Sequence, residues 1–188
     1  TGILAKLINL DVREPLSEDE LVAHGNVLFV SSTEPIAVSL TWIILILSQL
    51  PELRHALREE LDQSLQAQGE SHFSRIIQLP LLDSIILEGL RLLPPNALMV
   101  RLTTKPVRLG NVTLPDRCEL LLCPFLAHRD PDRFPQPDRF LPQRWHTIKP
   151  SPFEYFPFGA GGHSCIGRHL ALYLIKSALA LLTRRYDL

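Results

Sequence analysis

Apolar positions dominate the chain from the capping-box pattern Ser17-Glu18-Asp19-Glu20 to about Gln49, where Pro51 ends the run. The spacing predicts one long helix over this stretch. Its most apolar window, Ile36 to Leu50, is fifteen residues long and contains Ser39, Thr41, Trp42, Ser48 and Gln49. A bilayer span needs ~20 mostly apolar residues, so the window reads as a buried helix. Pro35 lies inside it; a proline there removes one amide donor and crowds the carbonyl four residues back, that of Ser31, so a kink or opened turn is expected. Leu53, Leu57, Leu61 and Leu65 then recur every four residues among charges, which predicts a surface amphipathic helix from Glu52 to Gln68 with Gly69 as its stop. A third helix, Leu81 to Leu93, starts after Pro80 and ends at Pro94-Pro95. It is apolar nearly all round apart from Asp83, Ser84, Glu88 and Arg91, and must be buried on most faces.

Beyond Pro95 the period changes. Val107 to Leu109, Asn111 to Leu114 and Glu119 to Cys123 are short strand candidates, separated by the turn signals Gly110-Asn111 and Pro115-Asp116. From His128 to Pro157 prolines recur every few residues among Phe134, Phe140, Trp145, Phe153, Tyr155 and Phe156, which reads as an ordered meander packed by aromatics. A glycine-rich loop, Gly159 to Gly162, leads through Cys165 into a last helix from about Gly167 to Thr183. The fold class expected is mainly α with small β-sheets.

Composition narrows the function. A length of 188 residues fits one ordinary domain, and 46% hydrophobic with 21% charged residues excludes a disordered chain. Sixteen prolines exceed the usual ~5%, and twelve of them fall between Pro94 and Pro157, the helix-hostile region. A net charge of −1 without a basic run gives no electrostatic footprint for nucleic acid. Three cysteines, Cys118, Cys123 and Cys165, with no C-x-x-C, point to a reducing compartment rather than a disulfide framework. The chain starts at Thr1 with no targeting pattern, as an internal cut in a longer protein would.

The sharpest chemical feature is the run from Phe158 to Gly167, which sets Cys165 just before a helix and behind a glycine loop. The positive helix end and nearby amides favour a thiolate there. Such a sulfur suits a nucleophile, a zinc ligand, an axial haem ligand or a plain buried cysteine. His163, Cys165 and His169, with His128 or His146, are ligand types that zinc takes, but their spacing follows no common zinc framework. As a nucleotide loop the segment fails G-x-G-x-x-G at Ser164 and lacks a following G-K-S/T.

Phe158, Gly161, Cys165 and Gly167 satisfy F-x-x-G-x-x-x-C-x-G, which resembles the cysteine loop of the cytochrome P-450 family; Ala171 also fits. The buried-looking Glu88 and Arg91 resemble that family's E-x-x-R, and Pro142-Gln143-Arg144-Trp145 resembles its P-x-R-F/W stretch. His128-Arg129-Asp130-Pro131, Phe134 and Phe140 stand in order between them. The resemblance covers the whole chain as the C-terminal portion, about half, of such a fold. It implies segments 1–50 as the central long helix over the haem, 51–95 as the amphipathic and E-x-x-R helices, 96–127 as short strands, 128–157 as the meander, and 158–188 as the cysteine loop with its helix. It further implies haem b held by the Cys165 thiolate, Phe158 beside the sulfur, Gly161 and Gly167 where backbone nears the porphyrin, Arg101 on a propionate, and a structural triad of Glu88, Arg91 and Arg144. His163 stands where the family more often has a propionate-binding arginine.

The long helix departs from the family pattern. Ser31-Ser32-Thr33-Glu34-Pro35-Ile36 aligns with A-G-x-D/E-T-T, so the acid is kept as Glu34 while Pro35 replaces the threonine used in proton delivery. Either the opened turn at Pro35 exposes carbonyls and the hydroxyls of Ser31, Ser32 and Thr33, which position a water for proton delivery with Glu34, or the chemistry is altered: peroxide-driven, isomerising or dehydrating, or an oxygenase that leaks reduced oxygen. Arg117 replaces the glycine of the family's P-x-G turn, suggesting a different turn. The implied function is a monooxygenase acting on an organic, apolar small molecule. Its electrons would come from a ferredoxin or flavoprotein partner, with Arg54, Arg58, Arg168 and Lys176 as candidate docking charges. The expected setting is cytoplasmic and bacterial, without a membrane span in this segment, and the isolated fragment is expected to be inactive.

Overall fold

The computed structural model describes residue 5 and residues 16–66 and 75–188. The side chain of Leu65 and the stop signal Gly69 lie outside the described residues.

Helix α1 spans Glu18–Ser48 and opens on the capping box read from its sequence: the Glu20 amide donates to the Ser17 hydroxyl, and the Glu20 carboxylate accepts from the Ser17 amide at 2.8 Å. The helix is continuous through Pro35. The proline removes the amide donor to the Ser31 carbonyl, and the flanking turns stay helical because α1 is continuous on both sides. Helix α2 (Pro51–Gln66) follows, and α3 (Pro80–Leu92) begins with proline at its first position. The free amides of that first turn are met from another element: Leu81 and Leu82 donate to the Glu60 carboxylate of α2 at 2.9 and 3.1 Å.

Helix α5 (Arg168–Arg185) completes a four-helix layer, with a short α4 (Pro124–Ala127) before it in the chain. Ile43 and Leu47 of α1, Leu57 and Leu61 of α2, Ile85 and Leu90 of α3, and Ile175 and Leu179 of α5 meet in one core. Helix α3 is its centre and buries all but a few positions, as its all-round apolar pattern requires. Gly89 lets α1 come close: a Cβ there would stand 2.5 Å from Ile43 Cγ1.

Helix α1 is buried along one stripe only, at Ser39, Ile43 and Leu47, and not as a whole. Val22, Val27, Phe29 and Val30 lie bare because no described element of this chain covers that end. By length and composition alone α1 is long and apolar enough to cross a membrane, so the fifteen-residue window is no argument against a span.

Two small antiparallel sheets lie apart from the helices. Strand β1 (Met99–Leu102) pairs with β4 (Glu119–Leu122), Arg101 opposite Leu120; β2 (Val107–Leu109) and β3 (Val112–Leu114) form a hairpin over Gly110, whose φ of +59° the turn needs. Arg117 adopts φ +57°, the left-handed conformation a glycine would take without strain. The Arg117 amide donates to the Thr103 carbonyl at 3.0 Å and fixes the turn. In the meander Phe134 is fully buried and Trp145 and Tyr155 pack at 4.6 Å between ring centroids, whereas Phe153 is exposed and takes no part in the aromatic packing.

Candidate functional site

Two constructions stand out, one polar and buried, the other an open cavity. The buried one is built on Glu88 and Arg91, a turn apart on α3. Arg91 grips the Glu88 carboxylate with two bonds of 2.9 Å, and Arg144, carried by the 3₁₀ turn Pro142–His146, adds a third at 3.0 Å. The same carboxylate accepts from the Leu141 amide (2.9 Å) and the Trp145 indole (3.0 Å). Two guanidiniums against one carboxylate leave a positive excess. It is balanced by meander carbonyls: those of His128, Pro137 and Arg139 around Arg91, and those of Pro135, Gln136 and Arg139 around Arg144. The triad read from the sequence is therefore assembled, and it holds the meander onto α3.

The open construction is a cavity of about 200 Å³ between α1, α3 and the cysteine loop. Ser31 and Pro35 line it from α1, and Phe158, His163 and Cys165 from the loop. Cys165 is exposed, three residues ahead of the first residue of α5. Its own amide donates to the Phe158 carbonyl at 2.8 Å and closes the loop, while Gly159 and Gly161 turn it with φ of +71° and +67°. The Arg168 guanidinium lies 5.8 Å from the centre of the Phe158 ring.

Other expected residues stand elsewhere. Ser32, Thr33 and Glu34 are exposed and do not line the cavity; neither do Gly161, Gly167 or Arg101. Arg101 turns its guanidinium onto the Val100 carbonyl at 2.8 Å. The hydroxyls of Ser31, Ser32 and Thr33 donate to α1's own carbonyls, Val27 for the first and Phe29 for the other two. Their protons are thereby committed to the helix. Of the proposed docking cations, three are engaged within the chain: Arg54 with Leu188 and Asp187, Arg58 with the Thr183 and Tyr186 carbonyls, and Lys176 with Asp83 and the Ile77 carbonyl. They tie α2 and α3 to the C-terminal helix and the residues after it. Among the described residues no three His, Cys, Asp or Glu side chains gather as a metal site.

Ser39, Leu90, Met99 and Ile175 line the cavity without having been singled out from sequence. Spacing carried part of that information: Ser31, Pro35 and Ser39 recur every four residues and so share one face of α1, as Ala171 and Ile175 do on α5.

The family model Cytochrome P-450 matches residues 2–188. The chain belongs to the cytochrome P-450 family. It is 33% identical over 178 residues to the mouse (Mus musculus) 25-hydroxyvitamin D-1 alpha hydroxylase, mitochondrial, covering 93% of this chain and 35% of that protein. The human (Homo sapiens) protein of the same name is 32% identical over 187 residues, 97% and 37%. Cytochrome P-450 3A29 of the pig (Sus scrofa) is 31% identical over 181 residues, 95% and 36%. The chain thus spans about a third of the length of these relatives, less than the half expected. All three are animal proteins and two are named mitochondrial, so the expectation of a cytoplasmic bacterial protein finds no support.

Proposed function

We propose that this chain is the haem-binding portion of a haem-thiolate monooxygenase, with haem b held by the Cys165 thiolate. One observation carries the reading: an exposed cysteine on a glycine-turned loop faces a largely apolar cavity whose opposite wall is α1. The residues fit the group. A thiolate is one of the donors haem iron takes, and Ile36, Leu90, Phe158 and Ile175 offer a macrocycle apolar walls. Gly159 answers both for its φ of +71° and for space, since a Cβ there would stand 3.3 Å from the His163 carbonyl. When bound, the haem would supply the dioxygen chemistry by which one oxygen atom enters an organic substrate and the other leaves as water.

The chain's own residues hold and orient. Phe158 fixes the loop by accepting the Cys165 amide, His163 in the cavity wall offers a donor to a propionate, and Gly161 and Gly167, outside the cavity wall, shape the loop around the cysteine. Arg101 in the same role requires release of its bond to Val100. The Glu88–Arg91–Arg144 triad acts at a distance by holding the meander. Apolar walls favour an apolar small-molecule substrate, and electrons come from a ferredoxin or flavoprotein.

Pro35 in the cavity wall favours a second reading, a haem-thiolate enzyme of atypical chemistry, because the hydroxyl protons of Ser31, Ser32 and Thr33 are already engaged. In the monooxygenase reading a water held near Ser31 and Pro35 moves the proton instead, exchanging it with Glu34 at the exposed edge of α1. High coupling of electron consumption to product in the full-length protein would sink the atypical reading. For the ligand itself, the absorption spectrum of the reduced, carbon monoxide-bound full-length protein decides: a far-red-shifted Soret band in wild type, lost in Cys165→Ser, is expected, and a normal-position band in wild type refutes the assignment.

A further inference from the structure

His128 lies between the two constructions just described and is fully buried. Its carbonyl accepts from Arg91 Nη1 at 2.8 Å, which attaches it to the triad. Its ring Nε2 accepts the Phe156 amide at 2.9 Å, across 28 residues of chain. Phe156 leads directly through Pro157 and Phe158 into the cavity wall, and the Phe158 carbonyl holds the Cys165 amide. One imidazole thus stands in a continuous path from α3 to the cysteine.

Packing alone does not explain an imidazole here. The ring sits among Phe134, Tyr155 and Phe156, with centroids 6.3, 5.1 and 5.1 Å away, a box that a phenylalanine would fill. With Nε2 accepting, the proton of the neutral ring resides on Nδ1, which faces the Arg91 backbone but makes no well-formed hydrogen bond among the described residues. The imidazole therefore brings a buried, poorly satisfied donor that an apolar ring would avoid. What it adds in return is the acceptor for Phe156.

We infer that His128 is a positioning residue, whose neutral imidazole sets the cysteine loop against the Glu88–Arg91–Arg144 triad through the Phe156 amide. Protonation would put an N–H at Nε2, facing the Phe156 N–H, and release the loop. Burial above all pulls the imidazole from 6.5 down to about 4; a backbone hydrogen bond with Arg91 opposes the shift, and the charges of Arg91 from α3 and Arg129 on its own segment add to it. Tyr155, whose ring packs on the imidazole, is held above its ordinary range by burial and by Glu88, and stays neutral. The latch is thus closed at neutral pH.

Amide hydrogen exchange of the full-length protein tests this without reference to haem or turnover. In His128→Phe the protection of Phe156 should fall at least tenfold relative to α3, and His128→Gln, which offers an oxygen near Nε2, should restore it. Unchanged protection in His128→Phe, failure of His128→Gln to restore it, or equal loss at Phe156 and α3 overturns the inference. Wild type supplies a test independent of any variant: Phe156 protection, as a ratio to α3, should decline between pH 6.5 and 4. A ratio independent of pH overturns it too.

Discussion

Replacing Glu88 by glutamine changes one atom in the best-connected buried site of the molecule, and its cost can be worked from the contacts. The carboxylate is fully buried and accepts five bonds, three of them from guanidiniums. Glutamine keeps the shape, but one of its two positions becomes an NH₂ donor facing donors, and the charge opposite Arg91 and Arg144 disappears. Five meander carbonyls remain around the two cations, which soften the imbalance without removing it. Breaking a buried pair by removing one partner costs about 3–5 kcal/mol. The urea slope grows with protein size and here exceeds the ~3 kcal/mol per molar of small proteins, so the unfolding midpoint of full-length Glu88→Gln should drop by up to ~1 M, followed by far-UV circular dichroism. Arg144→Met should cost less on the carboxylate side, since Glu88 keeps Arg91, Leu141 and Trp145, yet it frees the meander carbonyls. The double variant should deviate from additivity by about 0.5–3 kcal/mol, because both changes act on one network. A loss under ~1 kcal/mol for Glu88→Gln would refute the argument that charge balance, rather than apolar contact, fixes the meander on α3.

Two further outcomes follow from single contacts. Gly89→Ala drives a methyl toward Ile43 and should destabilise by about 1–3 kcal/mol in the same urea titration, with Ile43→Ala in the same chain recovering part of the loss; additive losses would show that the two helices do not meet there. His128, held neutral down to about 4, makes the unfolded chain the better proton binder, so its contribution is complete above pH 6.5 and is lost as pH falls toward 4. That amounts to about 3 kcal/mol between the two limits and should be missing from the pH profile of His128→Phe; an unaltered profile would show that other groups govern acid stability.

Much of the fold was legible because it is encoded over short distances. Ser17 and Glu20 set the start of α1, Pro51 and Pro80 mark the helix boundaries, and Phe158, Gly161, Cys165 and Gly167 carry the loop by spacing alone. Strand β1 was not legible, since its four residues become a strand only by pairing with Leu122 to Glu119. The same limit applies to side chains. Nothing local says that Glu60 caps α3, or that Lys176 and Arg58 tie helices together.

The sequence by itself determined the helices, the cysteine loop, the triad members and the family, because each rests on spacing within a few turns of chain. Tertiary structure alone decided which of those residues face one another. Ser31 and Pro35 reach the cavity with Cys165 while Arg101 and Glu34 do not, and His128 becomes the link between triad and loop. Such outcomes depend on where distant segments return, and a hydrogen bond reports its partner only after the chain has brought it within about 3 Å.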